Sequence, residues 1–186
     1  MSENTEINSM GSGVRIVGGL VVFMWILETI DWFTGNSLDS LGIQPRDVDG
    51  LWHIVTAPFL HGGFGHLSAN TVPFAVLGML IFMRSARDFI GATAIITVLG
   101  GLGVWLVGRG STHLGASELI FGYLGFLLLA GFFERSMQGI VVAITVGVVY
   151  GGALWGVFPG DPRISWEAHL FGFIAGVIAA RAMTRS

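Results

Sequence analysis

The sequence contains no cysteine and no lysine, and only 11% of its residues are charged. Without cysteine, the chain has no disulfide, no thiolate metal ligand and no cysteine nucleophile. All nine basic residues are arginine and the formal net charge is −3, so no broad basic face is available to attract nucleic acid. We therefore expect no nucleic-acid partner and no cofactor.

Long apolar stretches fill most of the chain instead. Hydrophobic residues make up 53% of the sequence and the mean hydropathy is +0.75, which is typical of proteins whose solvent is lipid. A helix needs about 20 mostly apolar residues to cross a bilayer. Six stretches approach this length, at residues 14–30, 66–83, 89–107, 114–133, 140–158 and 166–183. The sequence predicts an all-α membrane protein, with a polar cytoplasmic tail over residues 1–13 and a six-transmembrane-helix domain over residues 14–186.

The connections and the small residues indicate how these spans are arranged. The connection over residues 31–65 is too long for a turn, so we expect part of it to lie in the membrane interface. Three pairs of glycine are spaced four residues apart, which places each pair on one helix face where two backbones can approach closely. These pairs are Gly147 with Gly151, Gly152 with Gly156, and Gly172 with Gly176.

The distribution of arginine predicts the orientation. Six arginines fall on the side shared by the two termini and by the loops after the second and fourth spans, against three on the opposite side. Because positive residues favour the cytoplasmic side, we expect a cell-membrane protein with both termini in the cytoplasm. The tail lacks the basic start of a secretory signal, so we expect no cleaved signal.

Four polar residues stand near the predicted outer ends of three spans. Ser117 opens the fourth span, His169 lies early in the sixth, and His66 and Asn70 lie at the start of the second. Ser117 and His169 follow the arginine before each span by eight and six residues, a depth of about 9 to 12 Å along a helix. His66 and Asn70 are four residues apart and share a helix face. Polar groups within a span are costly, so such a set indicates function.

These side chains match the requirements of nucleophilic catalysis. A serine hydroxyl becomes a nucleophile when a base takes its proton, and a neutral imidazole is the usual base near pH 7. Ser117 and His169 would supply both groups. The oxyanion that forms needs donors, which the His66 ring, the Asn70 amide and the Ser117 backbone N–H would provide. The polar, glycine-rich loop over residues 108–113 would line a cavity that admits water.

Each of these residues also has a structural interpretation. Taken singly, Ser117 is more often a packing serine, His169 a hydrogen-bonded core histidine and Asn70 a link between helices. We expect His61 to support its own loop and the neighbouring histidine, His66.

Three motifs together resemble those of the rhomboid family of intramembrane serine proteases, over nearly the whole chain from Val14 onward. Residues 61–70, His-Gly-Gly-Phe-Gly-His-Leu-Ser-Ala-Asn, are similar to the motif of the family's second helix. Residues 115–117, Gly-Ala-Ser, resemble its nucleophile motif, and residues 168–172, Ala-His-Leu-Phe-Gly, resemble its base motif. The order and spacing of the motifs also agree.

The resemblance implies both an architecture and an activity. It implies a six-helix core, a Ser117–His169 dyad without a third acidic member, and an oxyanion site that uses His66 and Asn70 beside Gly115. It also implies that the protein works in the lipid bilayer and cleaves single-span membrane proteins near the outer face.

The sequence departs from the family pattern at two positions. Family members commonly have glycine directly after the nucleophile and an aromatic hydroxyl one turn below it, whereas this chain has Glu118 and Phe121. Phe121 can still stack on His169 but has no hydroxyl. Glu118 either places a carboxylate beside the oxyanion region, which would reduce activity or make it pH-dependent, or points into another helix interface. We expect Glu167, close to His169, to be a solvated helix cap.

Two other classes of protein remain open. A metal enzyme could use His61, His66 and His169 as ligands, although the His-Glu-x-x-His arrangement of such enzymes is absent. A polytopic carrier could line its path with the same buried polar residues, and a catalytically inactive membrane adaptor could keep the same fold.

Overall fold

The computed structural model describes residues 3–183, which form a helical bundle. The α-helices are α1 (Glu3–Phe33), α2 (His53–Thr56), α3 (Phe64–Arg84), α4 (Ala86–Val107), α5 (Ser117–Glu134), α6 (Met137–Tyr150) and α7 (Trp166–Met183). Short 3₁₀ helices cover Leu38–Leu41, Ala57–Phe59 and Gly151–Val157. Residues 1–2 and 184–186, at the two ends of the predicted tail and membrane domain, lie outside the described residues.

Five of the described helices are long and apolar enough to cross a membrane. They cover Met10–Phe33, Phe64–Arg84, Ala86–Val107, Ser117–Glu134 and Met137–Val157. These ranges correspond in order to the first five predicted spans, so the all-helical, multi-pass arrangement is confirmed. The sixth predicted span coincides with α7, which is not one of the five because Glu167, His169 and Arg181 reduce its hydropathy. The count of six spans therefore stays a prediction.

One predicted boundary is wrong, and one confirmed span changes its helix type. α5 begins at Ser117 rather than at residue 114, because Gly115 has a φ of +123°, which is incompatible with a right-handed helix. In the fifth span the α-helix ends at Tyr150, and Gly151–Val157 continue it as a 3₁₀ helix. α1 begins at Glu3, so its helix includes the described part of the predicted tail.

α5 lies at the centre of the bundle and contacts α3, α4, α6 and α7. Residues 118–127 are all buried. Its closest neighbour is α7, where Gly172 packs against the Glu118 carbonyl oxygen and Gly176 packs against that of Gly122. A side chain on either glycine would overlap this backbone, so the predicted packing role of this glycine pair is confirmed.

The other two glycine pairs differ from the prediction. A Cβ added to Gly151 or Gly152 would meet no atom within 4 Å, so the expectation of close helix packing is wrong for these two residues. Gly147 leaves ordinary van der Waals room. Gly156 does make a close contact, with the ring of His169, and it therefore belongs to the site described below.

The long connection between α1 and α3 is fastened to the loop that precedes α5. Ile43 and His113 exchange two backbone hydrogen bonds of 2.8 and 2.9 Å, which form an isolated antiparallel bridge. The Gly115 N–H donates to the Ala57 carbonyl at 2.9 Å. These bonds hold the connection at the end of the bundle where α3, α5 and α7 begin.

Candidate active site

A cavity of about 850 Å³ opens at this end of the bundle. Ser117, His169, His66 and Asn70 all line it, so the structure brings together the four side chains that the sequence analysis singled out. The loop between α4 and α5 contributes Arg109, Ser111, Thr112 and His113. This placement confirms the prediction that the loop lines a polar cavity.

His169 is held in a defined orientation on α7. Its ring stacks on Phe121, with the ring centroids 4.0 Å apart and the planes 7° from parallel. Its Nδ1 lies 2.9 Å from the carbonyl oxygen of Gly156. Because a carbonyl oxygen only accepts, Nδ1 carries the proton and the neutral ring keeps a free lone pair on Nε2. Within residues 3–183 no hydrogen bond forms at Nε2, so this atom is available to the cavity.

The 3₁₀ segment that follows α6 positions this acceptor. A Cβ on Gly156 would lie 3.0 Å from Nδ1 of His169 and 3.1 Å from the Phe121 ring. The glycine spacing predicted a packing role for Gly156 but gave no sign that its carbonyl orients His169. The only signal was its lack of a side chain, which does not reveal the partner.

Ser117 is the first residue of α5 and follows a turn at Gly115 that has a positive φ. The φ of +123° at Gly115 directs the chain into the helix, and Ala116 is the N-cap. The backbone N–H groups of a first helical turn have no intrahelical acceptor, so the Ser117 N–H is a donor at the positive end of the helix dipole. The half-buried Ser117 side chain and this N–H therefore lie at one end of the cavity.

His66 and Asn70 lie one turn apart on α3 and flank Gly115. A Cβ on Gly115 would be 2.6 Å from Cε1 of His66, which is too close, and at an ordinary contact distance of 3.7 Å from Nδ2 of Asn70, so glycine leaves the His66 ring its space. Asn70 is 8% exposed, and its Nδ2 is buried without a hydrogen-bond partner among the described residues. A buried, unpaired amide beside a cavity is costly, and it provides a donor for a group bound there.

His61 supports both sides of this arrangement. Its Nε2 accepts the Ala116 N–H at 3.2 Å, and its ring contacts the ring of His66 edge-on at 5.1 Å. Burial, and to a smaller degree the neighbouring His66, lowers the pKa of His61 to about 3. The ring therefore stays neutral and keeps its acceptor, which confirms its predicted supporting role.

Glu118 does not face the cavity. Its side chain is 3% exposed and packs against α4, where a Cβ on Gly100 would lie 2.7 Å from Oε1 of Glu118. Of the two interpretations of Glu118, the position of its side chain corresponds to the helix interface. The other departure, Phe121, stacks on His169 as predicted.

The prediction that Glu167 is a solvated helix cap is wrong. Glu167 is 1% exposed rather than solvated, and it forms an ion pair with Arg109 at the cavity, with 2.7 Å between Nε of Arg109 and Oε1 of Glu167. This pair could not be predicted from a local sequence pattern because the two residues are 58 positions apart. Within the described part of the chain, no group of three or more His, Asp or Glu side chains is arranged to hold a metal ion.

The helices and the cavity define a multi-pass helical membrane protein with a serine and a histidine at one end of its bundle. The family model described as Rhomboid domain matches residues 48–186. The chain belongs to the rhomboid family.

Relatives from bacteria and plants are similar over most of the chain. The chain is 46% identical over 179 residues to Uncharacterized protein Rv1337 of Mycobacterium tuberculosis. The matched region covers 89% of this chain and 75% of that protein. It is 31% identical over 135 residues to RHOMBOID-like protein 5 of Arabidopsis thaliana, covering 67% of this chain and 41% of that one. The Putative rhomboid protease YdcA of Bacillus subtilis is 26% identical over 178 residues, covering 86% and 85%.

Proposed function

We propose that the protein is an intramembrane serine endopeptidase in which Ser117 is the nucleophile and His169 is the general base. The observation that carries the proposal is the hydrogen bond from Nδ1 of His169 to the Gly156 carbonyl, which leaves Nε2 free in the cavity that Ser117 lines. Membership of the rhomboid family supports the same activity, as does the name of the relative called a putative rhomboid protease.

The proposed reaction needs only these side chains. Nε2 of His169 takes the hydroxyl proton of Ser117 while Oγ attacks the scissile carbonyl, and the resulting imidazolium then gives that proton to the leaving amine. Water, activated by the same base, hydrolyses the acyl-enzyme and releases Ser117. In the imidazolium state the Gly156 carbonyl still accepts from Nδ1, so it orients the base in the place of an acidic third residue.

The negative charge of the tetrahedral intermediate would be stabilised by three donors. These are the Asn70 amide, the His66 ring N–H and the Ser117 backbone N–H, all of which lie around Gly115. Donors that are already in place when charge develops contribute more than donors that must reorganise. The unpaired Nδ2 of Asn70 supports this assignment because no protein acceptor has to release it.

The substrates that suit this site are transmembrane segments of single-span membrane proteins, cleaved near the extracytoplasmic face. A multi-pass bundle with a polar cavity at one end admits water to a peptide bond while lipid surrounds the rest of the substrate. We further propose that residues 14–186 form one membrane domain in which α7 is the sixth span, with both termini in the cytoplasm of a cell-membrane protein.

The test is proteolysis of a single-span substrate by purified protein reconstituted in lipid vesicles. We expect Ser117→Ala and His169→Ala each to abolish cleavage, and the double variant to be no worse than either, because nucleophile and base act as one unit. A fluorophosphonate should label wild type and not Ser117→Ala. Full activity in Ser117→Ala would disprove the assignment, and a wild type that neither cleaves nor labels would favour an inactive adaptor or a carrier.

A further inference from the structure

Arg109 and Glu167 join two segments that are distant in the sequence. Arg109 lies in the loop between α4 and α5, and Glu167 lies in the first turn of α7. The guanidinium contacts both carboxylate oxygens, with Nε to Oε1 at 2.7 Å and Nη2 to Oε2 at 3.2 Å, and the Arg109 backbone N–H also donates to Oε1 at 3.2 Å. A two-pronged, charge-assisted pair of this kind restrains direction as well as distance.

Burial makes this pair more than a surface contact. The Glu167 side chain is 1% exposed, while that of Arg109 is 40% exposed. A carboxylate removed from water needs its partner, so releasing Arg109 would leave an unpaired charge in the protein. Arg109 also donates through Nη2 to the Ile164 carbonyl at 2.8 Å, which fixes the chain just before α7.

A second set of hydrogen bonds runs parallel to the pair. Nε2 of His113 lies 3.1 Å from the Arg109 carbonyl, so this nitrogen donates and Nδ1 accepts. The Ser165 hydroxyl donates to Nδ1 of His113 at 2.6 Å, and it accepts the Ala168 N–H at 3.2 Å. Ser165 also accepts the His169 N–H at its carbonyl, at 3.2 Å.

Both sets end on the residues that precede the proposed catalytic groups. The loop over residues 108–116 leads directly into Ser117, and Ser165 to Ala168 lead directly into His169. Neither Arg109 nor Glu167 is needed for the proton transfers proposed above. Their geometry restrains the start of α5 against the start of α7.

We propose that Arg109 and Glu167, together with His113 and Ser165, form a positioning clamp that sets His169 relative to Ser117. The expected effect of the clamp on kcat rests on the proposed proteolytic function. Its expected effect on the order of the first turn of α7 does not. Arg109 and Glu167 are positioning residues, because they act through the backbone of the first turn of α7.

The test compares two carboxylates that are each paired with an arginine from another segment. Glu167→Gln is the test variant. Glu134→Gln is its matched control, because Glu134 pairs with Arg84 at the opposite end of the bundle, and both of those side chains are 23% exposed. Each variant is purified as the full chain, and its unfolding midpoint, kcat and KM for a single-span substrate are measured well below that midpoint.

We expect Glu167→Gln to lower kcat about 10- to 100-fold with KM changed less than about threefold, because a small misplacement of a base reduces rate more than binding. Glu134→Gln should keep kcat within about twofold even where its midpoint falls. Arg109→Lys should retain more activity than Arg109→Ala, since lysine keeps the charge but not the two-pronged contact.

Amide hydrogen exchange separates this proposal from the proposed function. In Glu167→Gln we expect faster exchange at residues 165–170 than in wild type, and in Glu134→Gln no change there. Unchanged exchange and unchanged kcat in Glu167→Gln would overturn the clamp while leaving proteolysis intact. If the wild-type protein cleaves no substrate but Glu167→Gln still exchanges faster than wild type at residues 165–170, the clamp is supported and only the proteolytic function is contradicted.

Discussion

The imidazole of His169, the proposed base, is oriented without an acidic partner. The Gly156 carbonyl fixes the tautomer and the Phe121 ring fixes the plane, at 2.9 Å and 4.0 Å respectively. A carbonyl contributes less charge stabilisation to an imidazolium than a carboxylate does, and an aromatic face contributes a favourable quadrupole. Orientation at this site therefore comes from packing and one hydrogen bond.

Asn70 provides a test of the oxyanion assignment at the scale of one residue. If its amide stabilises the oxyanion, Asn70→Ala should lower kcat about 10²- to 10³-fold with little change in KM, because the bond forms mainly in the transition state. Stability should fall only slightly, since Nδ2 has no partner to lose among the described residues. Steady-state kinetics and chemical unfolding are measured on one preparation.

A different result would identify a structural role for the same residue. An Asn70→Ala variant that keeps its kcat but loses about 0.6 to 2 kcal/mol of unfolding free energy would behave as a lost interhelical hydrogen bond. In that case His66 would remain as the side-chain donor to be examined.

At the scale of elements, the contact between α5 and α7 sets the geometry of the site. Ser117 begins α5 and His169 lies in the first turns of α7, so the separation of these two helices determines the separation of the two residues. Gly172 and Gly176 allow backbone to touch backbone here. In lipid, such close packing replaces the hydrophobic effect as the main source of helix association.

We predict that Gly176→Ala destabilises the bundle by about 1 to 3 kcal/mol or more, because its Cβ would overlap the Gly122 carbonyl and force α5 and α7 apart. The matched control is Gly19→Ala within α1, where a Cβ meets no atom within 4 Å. That control should be neutral or slightly stabilising, since alanine favours a helix over glycine by up to about 1 kcal/mol. Unfolding in detergent measures both. Equal stability of the two variants would contradict the close-packing argument.

At the scale of the whole molecule, the polar cavity and the ion pair of Arg84 with Glu134 lie at opposite ends of the bundle. Arg84 and Glu134 pair where α3 and α5 end, whereas Arg109 and Glu167 pair where α7 begins and α5 is about to begin. The excess of arginine on the side of Arg84 favours the cytoplasm for that end. The proposed orientation would therefore place the cavity on the extracytoplasmic side.

The absence of native cysteine makes the orientation directly measurable. We predict that Ser37→Cys, in the connection between α1 and α3, reacts with an impermeant thiol reagent in intact cells. Gln138→Cys, in the first turn of α6, should react only after the membrane is opened. Both native side chains are exposed, so burial within the protein does not account for a difference. The reverse pattern of labelling would invert the proposed topology.

The sequence was enough to predict which segments are helical and to single out the side chains that we propose for catalysis. Lipid requires runs of apolar residues with internally bonded backbone, so the first five spans could be located from composition alone. The same requirement makes buried polar residues rare, which is why Ser117, His169, His66 and Asn70 were identified before any contact was known. The cavity that they share follows from their common depth.

Tertiary structure alone decided which partners these residues have. Glu167 pairs with Arg109 rather than with water, Glu118 faces α4 rather than the cavity, and the Gly156 carbonyl orients His169. Each of these contacts joins segments that belong to different helices or loops. A local pattern specifies which face a residue occupies on its own helix, but only the packing of helices against one another specifies what that face meets.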